Sequence, residues 1–145
     1  MLPSPVPPFR ASGPELEVSI EDEEWREFMN TNPMVVGLRM KVRVTNRTPK
    51  DQRLGPSEIR VSKDGISPWA VEDLTAERSF AAWIHSKPEL RSAIDPRDSI
   101  TGWFALAFKR TPEGGRPAYT FTVRDGSGNR YVIDVPERPP EIYSG

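Results

Sequence analysis

Few residues in this chain have both the type and the spacing that chemistry requires. His85 is the sole histidine. A Ser-His-Asp triad would need it, but no Gly-x-Ser-x-Gly elbow accompanies it. It also falls near the end of a predicted helix, where a polar cap to the helix C-terminus is the simpler role. The carboxylates of Glu21-Asp22-Glu23-Glu24 could serve a glycoside hydrolase, which needs two of them across a cleft. Adjacent acids in a run usually face water, so a solvated edge is expected here. A hydrolase reading would make Glu23 or Asp98 indispensable. Asp125-Gly126-Ser127-Gly128-Asn129 opens like a calcium loop, with oxygen ligands at alternate positions. Its sixth residue is Arg130 and its twelfth Pro136, where such a loop needs glycine and glutamate, so it reads as a hairpin turn. With one histidine and no cysteine, transition metals are poorly served, and no cofactor or catalytic residue is expected.

The binding candidates are Arg39, Lys41 and Arg43, with Arg47 nearby, and the tryptophans Trp25 and Trp69. On a strand the three basic side chains project from one face about 7 Å apart, comparable to phosphate spacing. The outward positions beside them are not aromatic, so a solvated sheet face, paired with the acidic run, competes with nucleic-acid binding. Trp25 follows the acidic run and Trp69 lies in the loop Ile66-Ser67-Pro68-Trp69. Exposed, they would be interface anchors; buried, they would pin a loop. Asn46-Arg47-Thr48 has the form of a glycosylation sequon, which has meaning only in a eukaryotic secretory setting.

These residues need a scaffold, and the alternation of apolar residues predicts one. Val36, Leu38, Met40, Val42 and Val44 fall on one face of residues 35–46, the other face holding Arg39, Lys41, Arg43 and Thr45; strict period two means a strand with one buried face. Asn46 to Pro49 ends it with turn residues. Leu16 to Ile20 is a shorter strand, and the acidic run after it fits a second short strand or a helical turn. Another strand is expected around residues 57–62. From Val71 to Ser86, Leu74, Phe80, Ala81, Trp83 and Ile84 recur at helical spacing, which predicts a helix of about three turns. Ser99 to Lys109 returns to strand with both faces apolar, so Trp103 and its neighbours should lie under that helix. Tyr119 to Val123 and Tyr131 to Val135 alternate on either side of a Gly-rich turn and predict a hairpin.

Taken together, the pattern predicts a mainly β chain: two packed antiparallel sheets with one inserted helix at about 71–86 covering a sheet face. At 145 residues, one domain is expected over 15–135. Half of the 16 prolines lie in 1–14 and 136–145, where they remove amide donors; both ends are therefore expected to be proline-rich tails. Pro5 and Pro8 have P-x-x-P spacing, with a linker the plainer reading.

The stretch Asp98-Ser99-Ile100-Thr101-Gly102-Trp103-Phe104-Ala105-Leu106 resembles the central strand of bacterial immunoglobulin-like domains of small membrane-anchored or surface proteins. The element Val42-Arg43-Val44-Thr45-Asn46-Arg47-Thr48 and the hairpin from Tyr119 to Val135 resemble the same group, which brings the likeness to about half the chain. The resemblance implies an immunoglobulin-like sandwich acting as a binding or accessory module attached to something else.

Charge agrees with a protein partner. A formal net charge of −1 gives no strong electrostatic grip on nucleic acid or anionic membrane. No segment reaches the 18 apolar residues that a bilayer crossing needs. The opening residues Met1 to Pro8 lack the basic and apolar regions of a signal peptide. The expectation is a cytoplasmic protein as written, or an extracytoplasmic one whose export or anchoring segment lies upstream. Three functions are carried forward: a protein-interaction module bound to another protein or an adjoining domain, a binder of nucleic acid or anionic polymer through Arg39, Lys41 and Arg43, and a carboxylate-dependent hydrolase. Antiparallel edges could also pair two copies into a homodimer.

Overall fold

A computed structural model of the chain describes residues 6–28, 35–55, 58–61, 68–69, 83, 87–109 and 116–138. Its strands are β1 (Phe9–Ser12), β2 (Leu16–Phe28), β3 (Val35–Asn46), β4 (Gln52–Arg53), β5 (Glu58–Val61), β6 (Pro68–Trp69), β7 (Ala93–Ile94), β8 (Ser99–Lys109), β9 (Tyr119–Arg124) and β10 (Arg130–Val135). They form a five-stranded sheet in the order β1-β2-β3-β8-β6, a three-stranded sheet β10-β9-β5 and the pair β4-β7. The pairings among these described strands are antiparallel.

Alternation explains the core. Leu38, Met40, Val42 and Val44 of β3 are fully buried, as are Leu16, Val18 and Ile20 of β2. Opposite them the hairpin turns in Tyr119, Phe121, Val123, Tyr131, Ile133 and Val135, all buried. Phe104 and Phe121 meet edge to face across the gap, with ring centroids 5.2 Å apart. The two larger sheets thus share one core, in which each fully buried aliphatic side chain contributes about 1.5–3 kcal/mol.

The acidic run is neither a second short strand nor a helical turn: β2 continues straight through it for 13 residues. A bulge makes this tolerable. Ile20 pairs with Val42 and Asp22 with Lys41, leaving Glu21 as the extra residue. One extra residue reverses the parity of the strand. Beyond the bulge, Glu23 and Trp25 point inward with Leu16, Val18 and Ile20, while Glu24 points outward.

The ends also differ from the expected tails. Phe9–Ser12 lies between prolines rather than containing one, so its amides are free to pair, and β1 adds to β2 along its whole length. Arg138 is buried and exchanges two backbone hydrogen bonds with Arg116, at 2.9 and 3.0 Å. The segment Pro68–Trp69, expected to be loop, pairs with β8 at Phe108 and Ala107, where the edge of β8 offers its backbone. The predicted helix at 71–86 lies outside the described residues, as does His85; only Trp83 within that span is described. Residues 88–90 run beside β8, Glu89 forming a parallel bridge with Trp103, whose amide donates to the Pro88 carbonyl at 2.9 Å. Among the described residues, no helix is long and apolar enough to cross a membrane.

Candidate functional site

The five candidate residues separate into different environments. Trp25 is on the inner face, tilted against Tyr119 at 6.5 Å. The guanidinium of Arg116 sits 5.5 Å from its ring and that of Arg138 5.7 Å. It is a packing residue of the fold's own cationic cluster. Trp69 is placed by its backbone in β6, and its side chain lies outside the described residues. Arg39 points outward but is enclosed: its side chain is 11% exposed and ion-pairs with Glu24. It also donates to the Trp83 carbonyl at 2.8 Å, and its guanidinium lies 4.3 Å from the Trp83 ring and 5.9 Å from that of Trp103. The expected pairing with the acidic run is therefore found at Arg39.

Lys41 and Arg43 are brought together. They line an open cleft of about 590 Å³ with Glu21, Arg97, Asp98, Ser99 and Thr101. A second depression of about 260 Å³ adjoins it, lined by Arg10, Glu17, Ser19, Glu21, Arg43 and Thr45. Both follow from register. Arg10, Ser19, Arg43 and Thr101 form one row across β1, β2, β3 and β8, and Ser12, Glu17, Thr45 and Ser99 form the next. In the second row the Thr45 and Ser99 hydroxyls are 2.8 Å apart, within hydrogen-bonding distance.

A polar hub fixes the end of the cleft. Asn46 is fully buried; its side-chain amide donates to the Lys50 carbonyl at 2.7 Å and to that of Asp95 at 3.1 Å. Its side-chain oxygen accepts from the Thr48 amide at 2.9 Å and the Thr48 hydroxyl at 2.7 Å. Its backbone amide donates to the Asp98 carbonyl at 2.8 Å, and the Arg97 amide donates to the Thr48 carbonyl. Arg97 is held at φ 59, a left-handed conformation that costs a non-glycine residue about 1–2 kcal/mol. Buried and saturated, Asn46 is closed to glycosylation in the folded domain.

Glu23 and Asp98 are not assembled into a carboxylate pair. Asp98 is exposed at the outer cleft, whereas the Glu23 side chain is 2% exposed and held inside by Arg138 and Tyr119. Burial, then the adjacent Glu23 carboxylate, pushes the Tyr119 hydroxyl far above its ordinary range. For Arg138 burial acts to lower the pKa, but hydrogen bonding and charge from Glu23 outweigh it and raise it. Both groups are thereby kept protonated.

The Asp125 loop is a hairpin turn. Its carboxylate accepts from the Ser127 and Asn129 amides, the Asn129 side chain and the Tyr131 hydroxyl, at 2.8–3.0 Å. Those donors occupy the oxygen sites that a cation would need. Burial pushes the Asp125 pKa up, but these hydrogen bonds win and hold it below its ordinary value. No group of three or more potential metal-ligating side chains occurs among the described residues.

Sequence reasoning found Lys41 and Arg43 and singled out Glu21 and Asp98 only as hydrolase carboxylates; it missed Arg10, Ser19 and Arg97. The register that aligns β1 with β2 and β3 carries most of that set, and only the alternation within each strand was readable beforehand. Compared with known proteins, the chain matches no family model, no curated protein and no solved structure, so its function is argued from its own residues.

Proposed function

We propose that this chain is a non-catalytic interaction module, an immunoglobulin-like sandwich that holds another protein or an adjoining domain on the outer face of its larger sheet. Two antiparallel sheets sharing one core support the architecture. The observation that carries the functional reading is the mixed-sign face itself. Lys41, Arg43 and Arg97 take part in no ion pair among the described residues, although Glu21 and Asp98 line the same cleft. Charges of both signs left open side by side suit a partner surface of complementary pattern, and give specificity and register more than raw affinity. A nucleic-acid strand would be attracted by the cations and repelled by Glu17, Glu21 and Asp98 between them.

The test is capture from native lysate with the tagged domain, alongside Lys41→Glu/Arg43→Glu. A protein partner held at moderate salt by the natural domain and lost by the variant supports the reading. Equal capture by both removes this face from it. Nucleic acid captured only at low salt, and lost by the same variant, would replace it with the polyanion-binding alternative.

A further inference from the structure

Ser19 is 6% exposed, and its hydroxyl is buried with no hydrogen-bond partner in the protein. Such a group weakens a fold unless something else satisfies it. It lies between two arginines, Arg10 on β1 and Arg43 on β3, directly across from it in the sheet. Both arginines are exposed and without an ion pair among the described residues. Strand spacing puts their backbones about 9–10 Å apart, a gap that two long side chains close on an anion from either side. Along β2, Glu17 and Glu21 flank Ser19 and line the same depression of about 260 Å³.

We infer that Arg10, Ser19 and Arg43 form a seat for one carboxylate side chain of the partner protein, carried on an extended segment of the pattern basic-x-acidic-x-basic that lies along β2. The inference rests on the reading of this face as a protein interface. A carboxylate accepts about four hydrogen bonds, which two guanidinium forks and a hydroxyl can supply. Glu17 and Glu21 repel further negative charge, which rejects phosphate chains and acidic runs. Side chains two residues either side of the bound acid fall about 7 Å away, where those glutamates receive basic groups. Attraction at the centre and repulsion of the wrong sign at the flanks together set the specificity.

The probes are three blocked peptides: Lys-Thr-Glu-Thr-Lys, the same peptide with Gln at its centre, and the charge-reversed Glu-Thr-Lys-Thr-Glu. Each is titrated at low salt into the isotope-labelled domain and followed by amide shifts. The first should give saturable shifts at Arg10, Ser19 and Arg43. The Gln-centred peptide, and Ser19→Ala titrated with the first peptide, should each bind about tenfold more weakly, the loss of one charge-assisted contact. The charge-reversed peptide should leave these amides unshifted. Ser19→Ala should also melt at or above the natural protein, because it removes an unsatisfied buried hydroxyl. No saturable shift with the first peptide, unchanged affinity in Ser19→Ala, or a lower melting point of that variant each overturns the seat. In the lysate experiment, a partner lost by Lys41→Glu but kept by Arg10→Gln and Ser19→Ala overturns the seat and leaves the interface standing. A partner indifferent to all of these variants overturns both.

Discussion

Arg138 and Glu23, 115 residues apart, form a buried bidentate ion pair: Nη1 reaches Oε1, and Nη2 donates to Oε2 at 2.8 Å. The Tyr119 hydroxyl donates to the same Oε2 at 2.5 Å. The guanidinium also lies 5.6 Å from the Phe9 ring and 5.7 Å from that of Trp25. One cluster therefore ties the bulged strand β2, the hairpin strand β9, the first strand β1 and the segment after β10.

Breaking that pair from one side should be severe. Both side chains are almost fully enclosed, at 3% and 2% exposure, so Glu23→Gln or Arg138→Met leaves the other group charged and buried. The expected cost is about 3–5 kcal/mol in urea unfolding. Replacing the set together, as Glu23→Leu/Arg138→Met/Tyr119→Phe, should recover most of the loss, because no polar group is then stranded. A triple variant as unstable as the single ones would show that the cluster's geometry, rather than its desolvation, sets the cost.

The contrast between β3 and β2 shows what was legible in advance. In β3 the period never breaks, and Leu38, Met40, Val42 and Val44 are buried as alternation requires. In β2 the same rule carried past Ile20 would aim Asp22 and Glu24 inward, which made the run look like an edge. The five-residue spacing from Ile20 to Trp25 was the available sign of a bulge, since two inward residues on an unbroken strand differ by an even number. The ends are hard to read for a related reason. Prolines at 7, 8 and 14 bound the Phe9–Ser12 strand without interrupting it, and Arg138 finds its acid in a distant segment that local composition does not reveal. The hairpin was legible because its turn and both its strands are contiguous.

Stability should fall at both extremes of pH through groups in these clusters. Asp125 is held below its ordinary value of 3.8. Its contribution is therefore complete above that value and is lost as pH falls through and below it, where the unfolded chain takes up the proton first. Tyr119 and Tyr131 are both raised above 10.0, so their contribution is complete below 10.0 and declines as pH rises past it. Melting points of Asp125→Asn across pH 2–6 should show a shallower acid limb than the natural protein. Those of Tyr119→Phe across pH 9–11 should show a shallower alkaline one. Parallel curves in either comparison would assign that limb to other groups.

Asn46 should be among the least replaceable polar residues. Asn46→Ala strands the Thr48 amide and takes one bond each from the Thr48 hydroxyl and the Lys50 and Asp95 carbonyls, which keep the hydroxyl-to-Lys50 bond and the Asp98 amide, all in the hub that anchors the turn bearing Arg97 and Asp98. With one unmet buried group costing about 1–3 kcal/mol, a loss of that size is expected from chemical denaturation. Amide shifts of Arg97 and Asp98 should move with it. A loss below about 1 kcal/mol would mean that water replaces the side chain without strain.

Two glycines allow the pairing of residues 88–90 with β8 to be tested against a matched control. A Cβ on Gly102 would stand 2.2 Å from the Leu90 Cα and 2.3 Å from its amide nitrogen. Both are backbone atoms, which cannot rotate away as a side-chain tip can. Gly102→Ala must therefore lift residues 88–90 from the sheet and stretch the bond between the Trp103 amide and the Pro88 carbonyl. An overpacking cost of about 1–3 kcal/mol is expected, with faster hydrogen exchange at the Trp103 amide. At Gly126 the nearest atoms to the same added methyl are 3.5 Å away, an ordinary contact, and Ala there restricts the unfolded chain. Gly126→Ala should thus be neutral or stabilising by up to about 1 kcal/mol. Equal melting points for the two variants would place the 88–90 segment farther from β8 than the structure does.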